Sequence, residues 1–306
     1  MTSLILMIVA GLVGLALGGE LLVRGAVALA HRLGLSGVVT GVVIMGSATS
    51  MPELVASAEA AVLGSPDIAW GNIIGSNIAN SLLILGAAAV VAPIALHGVG
   101  KRDAVVGLFA VILLWVMTAT QLASSWLGIG ILVLLVIYVV WRVRHPPEGV
   151  GEEEEGEDPS LAIALLLFLS GLAVLVGGGQ LLVTGAIELA TIAGISEAVI
   201  GLTVVAVGTS LPELAATLAA AMRGRPDLAM GNVVGSNIYN LLLIGGVTMT
   251  IAPTPITPQM LDLEWPVLAV CALLLLIMCR HVHRIGRRFG ALLLAAFAAN
   301  TVLLFA

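Results

Sequence analysis

The sequence predicts an all-α integral membrane protein: ten transmembrane helices in two five-helix repeats of inverted topology. Three observations lead there. The 306 residues are 60% hydrophobic and only 10% charged, with a mean hydropathy of +1.16, whereas soluble domains carry about 25% charged residues. Apolar windows of about 20 residues, long enough to cross a bilayer, recur along the chain. The chain also repeats itself at an offset of 160 residues.

The predicted helices cover 3–30, 36–62, 68–91, 103–121, 126–143, 160–190, 196–222, 228–250, 263–280 and 289–306. The first has no basic stretch before its apolar run, and Arg24 comes only after it, so it reads as a retained helix and not a cleaved leader. The second carries Pro52, which cannot donate a backbone hydrogen bond and whose ring opposes the carbonyl of Ala48. A break near its middle is expected. The third stacks Asn72, Ser76 and Asn80 at a spacing of four. After the fifth comes the only long polar stretch, "RHPPEGVGEEEEGEDP" (144–159), whose Pro, Gly and like charges read as a solvated linker. A cation-binding regulator is the alternative. Three units follow: 1–143, the linker 144–159, and 160–306.

The second unit restates the first. "LLVRGA" (21–26) meets "LLVTGA" (181–186), "TSMPEL" meets "TSLPEL", and "GNIIGSNIAN" meets "GNVVGSNIYN". From Thr49 to Asn80, 19 of 32 positions are identical to Thr209–Asn240. Such a repeat should be settled before a fold is argued. In the seventh helix Pro212 opposes the carbonyl of Gly208, as Pro52 does that of Ala48; in the eighth, Asn232, Ser236 and Asn240 stack as in the third.

Five helices per repeat is an odd number, so the second repeat must enter the membrane from the opposite side. The loops agree. His31 and Arg32 follow the first helix, but Thr191 and Ile192 the sixth; "LGSPD" follows the second, but "RGRPD" the seventh. Lys101 and Arg102 follow the third, while "PTPITPQMLD" follows the eighth; "QLASSW" follows the fourth and "RHVHRIGRR" the ninth. Eleven of the twelve Lys and Arg then share one face, with Arg24 alone inside a helix. By the positive-inside rule that face is cytoplasmic. The expectation is a multi-pass cell-membrane protein with both termini outside and the linker inside.

The formal charge of −6 says little about partners, because seven of the eighteen acids lie in the linker run. The lipid bilayer is the expected surround, and no nucleic-acid partner is expected. Cys271 and Cys279 lie eight residues apart on one helix, roughly 12 Å at 1.5 Å per residue, beyond disulfide reach. They read as packing residues without a redox role. The five histidines all fall at cytoplasmic ends. Gly71, Gly75, Gly231 and Gly235 form small-residue ridges that let helices approach closely.

A carboxylate at bilayer depth is costly and marks a functional site by default. Glu53 and Glu213 each sit in a Thr-Ser-x-Pro-Glu stretch. Irregular backbone at this depth persists where it is buried in protein or lines a wet cavity. Broken helices at matching positions of two inverted halves point to a transporter site. Thr49 and Glu53, four residues apart, are expected to share a helix face, with Ser50 close by. The ligand set is all oxygen: two carboxylates, hydroxyls, amide oxygens and freed carbonyls. Hard cations, Ca²⁺ above all, take six to eight such oxygens, whereas soft metals take thiolate or imidazole. Asn72 and Asn232 either join the set or bond the backbone freed by the breaks. Asn77 and Asn237 point about 100° away from the Ser76 and Ser236 face and are left out. Glu20 and Glu59 have no acidic counterpart in the repeat, where Gln180 and Ala219 stand, and read as helix-end or packing residues.

"GTSLPE" with "GNVVGSNIYN", in inverted duplicate over five-plus-five helices, resembles the cation/Ca²⁺ exchanger superfamily, most of all its microbial sodium/calcium exchangers. The resemblance spans essentially the whole chain. It implies four ion positions between helices 2, 3, 7 and 8. The inner pole would use Thr49, Glu53, Ser76 and the carbonyl of Gly46. The outer pole would use Thr209, Glu213, Ser236 and the carbonyl of Ala206. Ser50 and Ser210 belong to the same set, and Asn80 and Asn240 would form the middle with both glutamates. One departure stands out: well-known sodium/calcium exchangers of this type carry an aspartate where this chain has Asn240, so the site holds two formal negatives. Ca²⁺/H⁺ members carry an acid where Gly75 and Gly235 fall, and its absence argues against that branch.

The expected function is a secondary antiporter exchanging Ca²⁺ for Na⁺ by alternating access, working as a monomer without a cofactor. Two unpaired carboxylates in a low-dielectric site are costly. One Ca²⁺ or two Na⁺ cancels the charge, so the empty carrier should reorient rarely. The long, matched helices 1 and 6 form the natural sliding pair, as the resemblance also implies. The alternatives are exchange coupled to H⁺, exchange of another cation and, more remotely, a cation channel or binding protein. No nucleophile–base pair or His-metal motif points to an enzyme.

Overall fold

The computed structural model describes residues 2–96, 100–145, 160–192, 208–253 and 258–304. Among these the chain is almost wholly helical. The first repeat gives α1 (Thr2–Leu33), α2 (Gly37–Thr49), α3 (Met51–Val62), α4 (Pro66–Val91), α5 (Lys101–Ala119) and α6 (Ser125–Arg144). The second gives α7 (Leu161–Ile192), α8 (Leu211–Met222), α9 (Pro226–Ile251), α10 (Glu264–His281) and α11 (Arg287–Leu304). Seven of these are long and apolar enough to cross a membrane, or eight if the bent pair α2–α3 counts as one span. Most predicted boundaries hold within two or three residues. Most of the linker, and the predicted seventh helix before residue 208, lie outside the described residues.

The helices sort into two environments. α4 and α9 are the most enclosed, with 78% of their most apolar window buried, against 28% for α1, α6 and α7. The sequence explains the difference. α1 and α7 offer lipid long apolar faces, with Leu12, Leu17, Leu166 and Leu169 exposed. α4 and α9 carry Gly, Ser and Asn, which lipid cannot satisfy but packed protein can. Trp70 of α4 and Trp265 of α10 are fully buried beside them.

Close approach fixes the packing. α1 and α7 lie backbone against backbone: a Cβ added to Gly171 would stand 2.3 Å from Leu22 N. α2 and α9 meet the same way, since a Cβ on Gly231 would stand 2.9 Å from Gly41 Cα. Gly231 and Gly235 thus form the close ridge expected of them, whereas a Cβ added to Gly71 would meet only Met260 Cε, at 3.9 Å, and one added to Gly75 would meet nothing within 4 Å outside its own stretch of helix. α10 packs on α5, α6 on the end of α9, and α11 on the end of α4. A two-stranded antiparallel ribbon, β1 (Ile94–Ala95) with β2 (Arg284–Ile285), ties the end of α4 to the start of α11. A buried ion pair, Arg142 Nε to Asp103 Oδ1 at 2.6 Å, joins α6 to α5, and the Tyr138 hydroxyl donates to the same oxygen at 2.8 Å. Removing one partner of such a pair strands a buried charge. Cys271 and Cys279 are free, buried thiols.

Candidate functional site

The predicted break is present and falls at Ser50, two residues before the proline. α2 ends at Thr49, Ser50 leaves helical geometry at φ −81°, ψ 5°, and α3 starts at Met51 with Pro52 in its first turn. The two pieces meet at 44°. Proline fits this position because the first-turn N–H groups of a helix lack intrahelical partners. The second copy matches: Ser210 has φ −89°, ψ 8°, and α8 begins at Leu211 with Pro212 in its first turn.

The break corrects one expectation. Thr49 and Glu53 do not share one continuous helix face, because the bend lies between them. The Thr49 hydroxyl lies 3.1 Å from Met45 O and 3.3 Å from Asn232 Oδ1, and its one proton serves one of them at a time. The same hydroxyl stands 3.3 Å from Ser236 Oγ, which in turn reaches Gly46 O at 3.5 Å. Ser236 is therefore grouped with Gly46 and Thr49, not with the pole of its own repeat.

The carboxylates cross over in the same way. Ser50 Oγ donates to Glu213 Oε1, and Ser210 Oγ donates to Glu53 Oε1, both at 3.3 Å. Glu53, Glu213, Ser50 and Ser210 are all buried. The turn that begins at Asn80 packs against α8, which carries Glu213; the turn that begins at Asn240 packs against α3, which carries Glu53. Both turns are π-helical, Asn80–Ile84 and Asn240–Ile244. Such turns are rare and gather at functional sites. Ser76 is buried on α4, and Thr209 is half-buried. Ala206 lies outside the described residues.

These contacts are loose. Hydroxyl hydrogen bonds centre near 2.7–2.8 Å, and the contacts around the two glutamates are longer. Six buried polar atoms of this cluster have no hydrogen-bond partner among the described residues: Glu53 Oε2, Glu213 Oε2 and both amide atoms of Asn80 and of Asn240. A buried polar atom left unpaired costs about 1–3 kcal/mol. Oxygens held close but unsatisfied are what a hard cation needs.

Asn72 and Asn232 have a definite place. Asn72 Nδ2 donates to Ser57 Oγ at 2.9 Å and reaches Glu53 O at 3.5 Å. Asn232 Nδ2 donates to Thr217 Oγ1 at 3.0 Å and to Glu213 O at 3.4 Å. Each amide braces the first turn of the helix that bears a glutamate. Asn232 also touches Thr49, which sequence reasoning left open. Ser57 and Thr217 were missed, although each lies four residues beyond its glutamate. Asn77 and Asn237 serve helix packing, through Ile73 O at 2.7 Å and Ser81 Oγ at 3.1 Å.

A helical membrane bundle enclosing two carboxylates among hydroxyl and amide oxygens defines a class, the multi-pass membrane transporter of cations. The comparisons make the class particular. The family described as sodium/calcium exchanger protein matches residues 3–144 and 163–306, so the chain belongs to this family and is a cation/Ca²⁺ exchanger. It is 32% identical over 342 residues to the sodium/calcium exchanger MaX1 of Methanosarcina acetivorans, covering 98% of each chain. It is 31% identical over 312 residues to the inner membrane protein YrbG of Escherichia coli, covering 98% of this chain and 96% of that one. Its fold matches the sodium-calcium exchanger NCX_Mj soaked with zero Na⁺ and Ca²⁺, with a TM-score of 0.87 at 34% identity, covering 99% of this chain and 100% of that one.

Proposed function

We propose that the protein is a Ca²⁺/Na⁺ antiporter that works by alternating access around the Glu53–Glu213 cluster. The observation that carries this is the crossed pair of carboxylates, each held by the serine at the other helix break and each with one oxygen that has no hydrogen-bond partner among the described residues. Ca²⁺ would be held by Glu53 and Glu213 with Thr49 and Thr209. Na⁺ would use the same carboxylates with the flanking groups: Gly46 O and Ser236 on one side, Ala206 O and Ser76 on the other, and Asn80 and Asn240 between. Ser50 and Ser210 orient the carboxylates. Ca²⁺ and Na⁺ are transported cargo.

In this reading the chain makes ten spans, α2 with α3 counting as one and α8 completing the seventh. Two inverted repeats, 1–143 and 160–306, are joined by a cytoplasmic linker at 144–159, with both termini outside and one chain sufficient for transport. The matched breaks, π turns and asparagine braces support it. So does the likeness to an exchanger whose structures were soaked with Na⁺, Ca²⁺ and Sr²⁺. Exchange is obligatory because two buried negatives without a cation oppose reorientation. The test is Ca²⁺ flux in proteoliposomes with Na⁺ and pH gradients imposed separately. Flux that follows only the Na⁺ gradient supports the reading; flux that follows only the pH gradient replaces Na⁺ with H⁺.

A further inference from the structure

The repeat supplies one seam twice, α1 against α8 and α7 against α3. At the 160-residue offset, Gly19 matches Gly179, Glu20 matches Gln180, Arg24 matches Thr184, and Ala219 matches Glu59. The first seam is shut: a Cβ on Gly19 would stand 2.9 Å from Ala215 O and 3.3 Å from Ala219 Cβ. The second holds a cavity of about 470 Å³. Its walls include Val55 and Glu59 of α3 and Gln180 and Thr184 of α7, and Thr209 and Pro212 also line it. Glu59 is the one ionisable group among the described residues lining it. Its side chain is exposed and makes no ion pair with any described residue. It stands six residues beyond Glu53, about 9 Å along the helix axis.

We propose that Glu59 recruits cations at the mouth of an entrance running between α3 and α7 to Thr209 and the carboxylate pair. The proposal rests on the exchanger reading. Apolar walls of low dielectric focus the field of a single carboxylate and raise the local concentration of cations. Because Glu59 is exposed, salt screens the effect. The matched position on the shut seam is Ala219, so recruitment belongs to one side only. The test uses the full chain with both native cysteines replaced. The Val55→Cys thiol is labelled with a positively and a negatively charged methanethiosulfonate reagent, with and without Glu59→Gln. The cationic reagent should lose at least threefold of its advantage in Glu59→Gln at low salt, and much less at high salt. In flux, Glu59→Gln should raise the half-saturating Ca²⁺ severalfold on that side alone and leave the maximal rate unchanged. An unreactive Val55→Cys thiol, or an unaltered reagent ratio, overturns the proposal. If the parent moved no Ca²⁺, the exchanger reading would fall, and the reagent ratio would still decide the role of Glu59.

The shut seam carries a second, independent feature. Glu20 of α1 accepts hydrogen bonds from Arg24 Nε at 2.8 Å and from Arg223 Nε at 2.6 Å, and Arg223 Nη2 also bonds it. Arg223 caps the end of α8. The matched residues Gln180, Thr184 and Leu63 cannot build such a cluster. We infer that Glu20–Arg223 is a latch that holds α1 on α8, so that the chain rests with this seam shut and the α3–α7 seam open. This rests on alternating access. Partly exposed ion pairs are weak, so the expected shift is a few-fold. The Ala219→Cys thiol should become a few-fold more reactive in Glu20→Gln and in Arg223→Leu, and the double variant should be no more reactive than either single one. Unchanged reactivity in both, or increases that multiply, overturns the latch. Reactivity that rises while Na⁺ and Ca²⁺ leave it unaltered in every variant would keep the latch and remove alternating access.

Discussion

Glu53 and Glu213 lie 160 residues apart, and each carboxylate accepts a hydrogen bond from the serine at the other's helix break. Replacing either glutamate with Gln removes half the negative charge of the cluster and leaves volume almost unchanged. Ca²⁺ binding measured by calorimetry on purified protein should fall by at least tenfold in Glu53→Gln and in Glu213→Gln, with the protein still folded and extractable. Retention of parental affinity in Glu213→Gln would remove the proposed site. Asn240 tests the same electrostatics in the other direction. Its amide is buried, has no hydrogen-bond partner among the described residues and is set on a turn against the helix of Glu53. Asn240→Asp adds a charge beside the cations, so the half-saturating Ca²⁺ should fall severalfold; a rise would show that the amide oxygen points away from the cargo.

The elements were legible where one periodicity rules them. Apolar length marked the spans, and the repeat located the second proline break from the first. The proline also marked the break, which falls at Ser50 because proline suits the first turn of the following helix. Two features were hidden, each for a physical reason. The π turns at Asn80 and Asn240 leave no trace in a 3.6-residue pattern. The crossed pairing of Ser236 with Gly46 and Thr49 is a contact between residues 187 or more apart in sequence, which no local pattern encodes. Glu20 was read as a helix-end or packing residue for the same reason, since its partner Arg223 lies 203 residues away. Packing at the α2–α9 contact gives a stability prediction. Gly231→Ala places a Cβ 2.9 Å from Gly41 Cα, backbone that cannot swing aside, and overpacking of this kind costs about 1–3 kcal/mol. Thermal denaturation in detergent should show a lowered midpoint; an unchanged midpoint would mean that the helices part freely there. The inverted arrangement has its own check. In a cysteine-free background, the Ser65→Cys thiol should label from outside and the Gly224→Cys thiol from the cytoplasm, and labelling from one side would refute the inversion.

At the scale of the whole molecule, the division of labour follows composition. Lipid-facing α1 and α7 pair by close backbone contact, while enclosed α4 and α9 carry the polar groups. The sequence of residues 144–159 is acidic and has no apolar run. Replacing residues 150–157 with a Gly/Ser segment of equal length should leave exchange within a few-fold in a flux assay; loss of all transport would assign the acidic run a role in the cycle. The measurement that bears most directly on the central claim is Na⁺-gradient-driven Ca²⁺ uptake by purified protein in proteoliposomes, run in parallel on the parent, Glu53→Gln and Glu213→Gln. The parent should take up Ca²⁺ when Na⁺ runs the other way and should ignore a pH gradient, and both variants should be silent. A parent that ignores Na⁺, or a variant that still takes up Ca²⁺ at the parental rate, would contradict it.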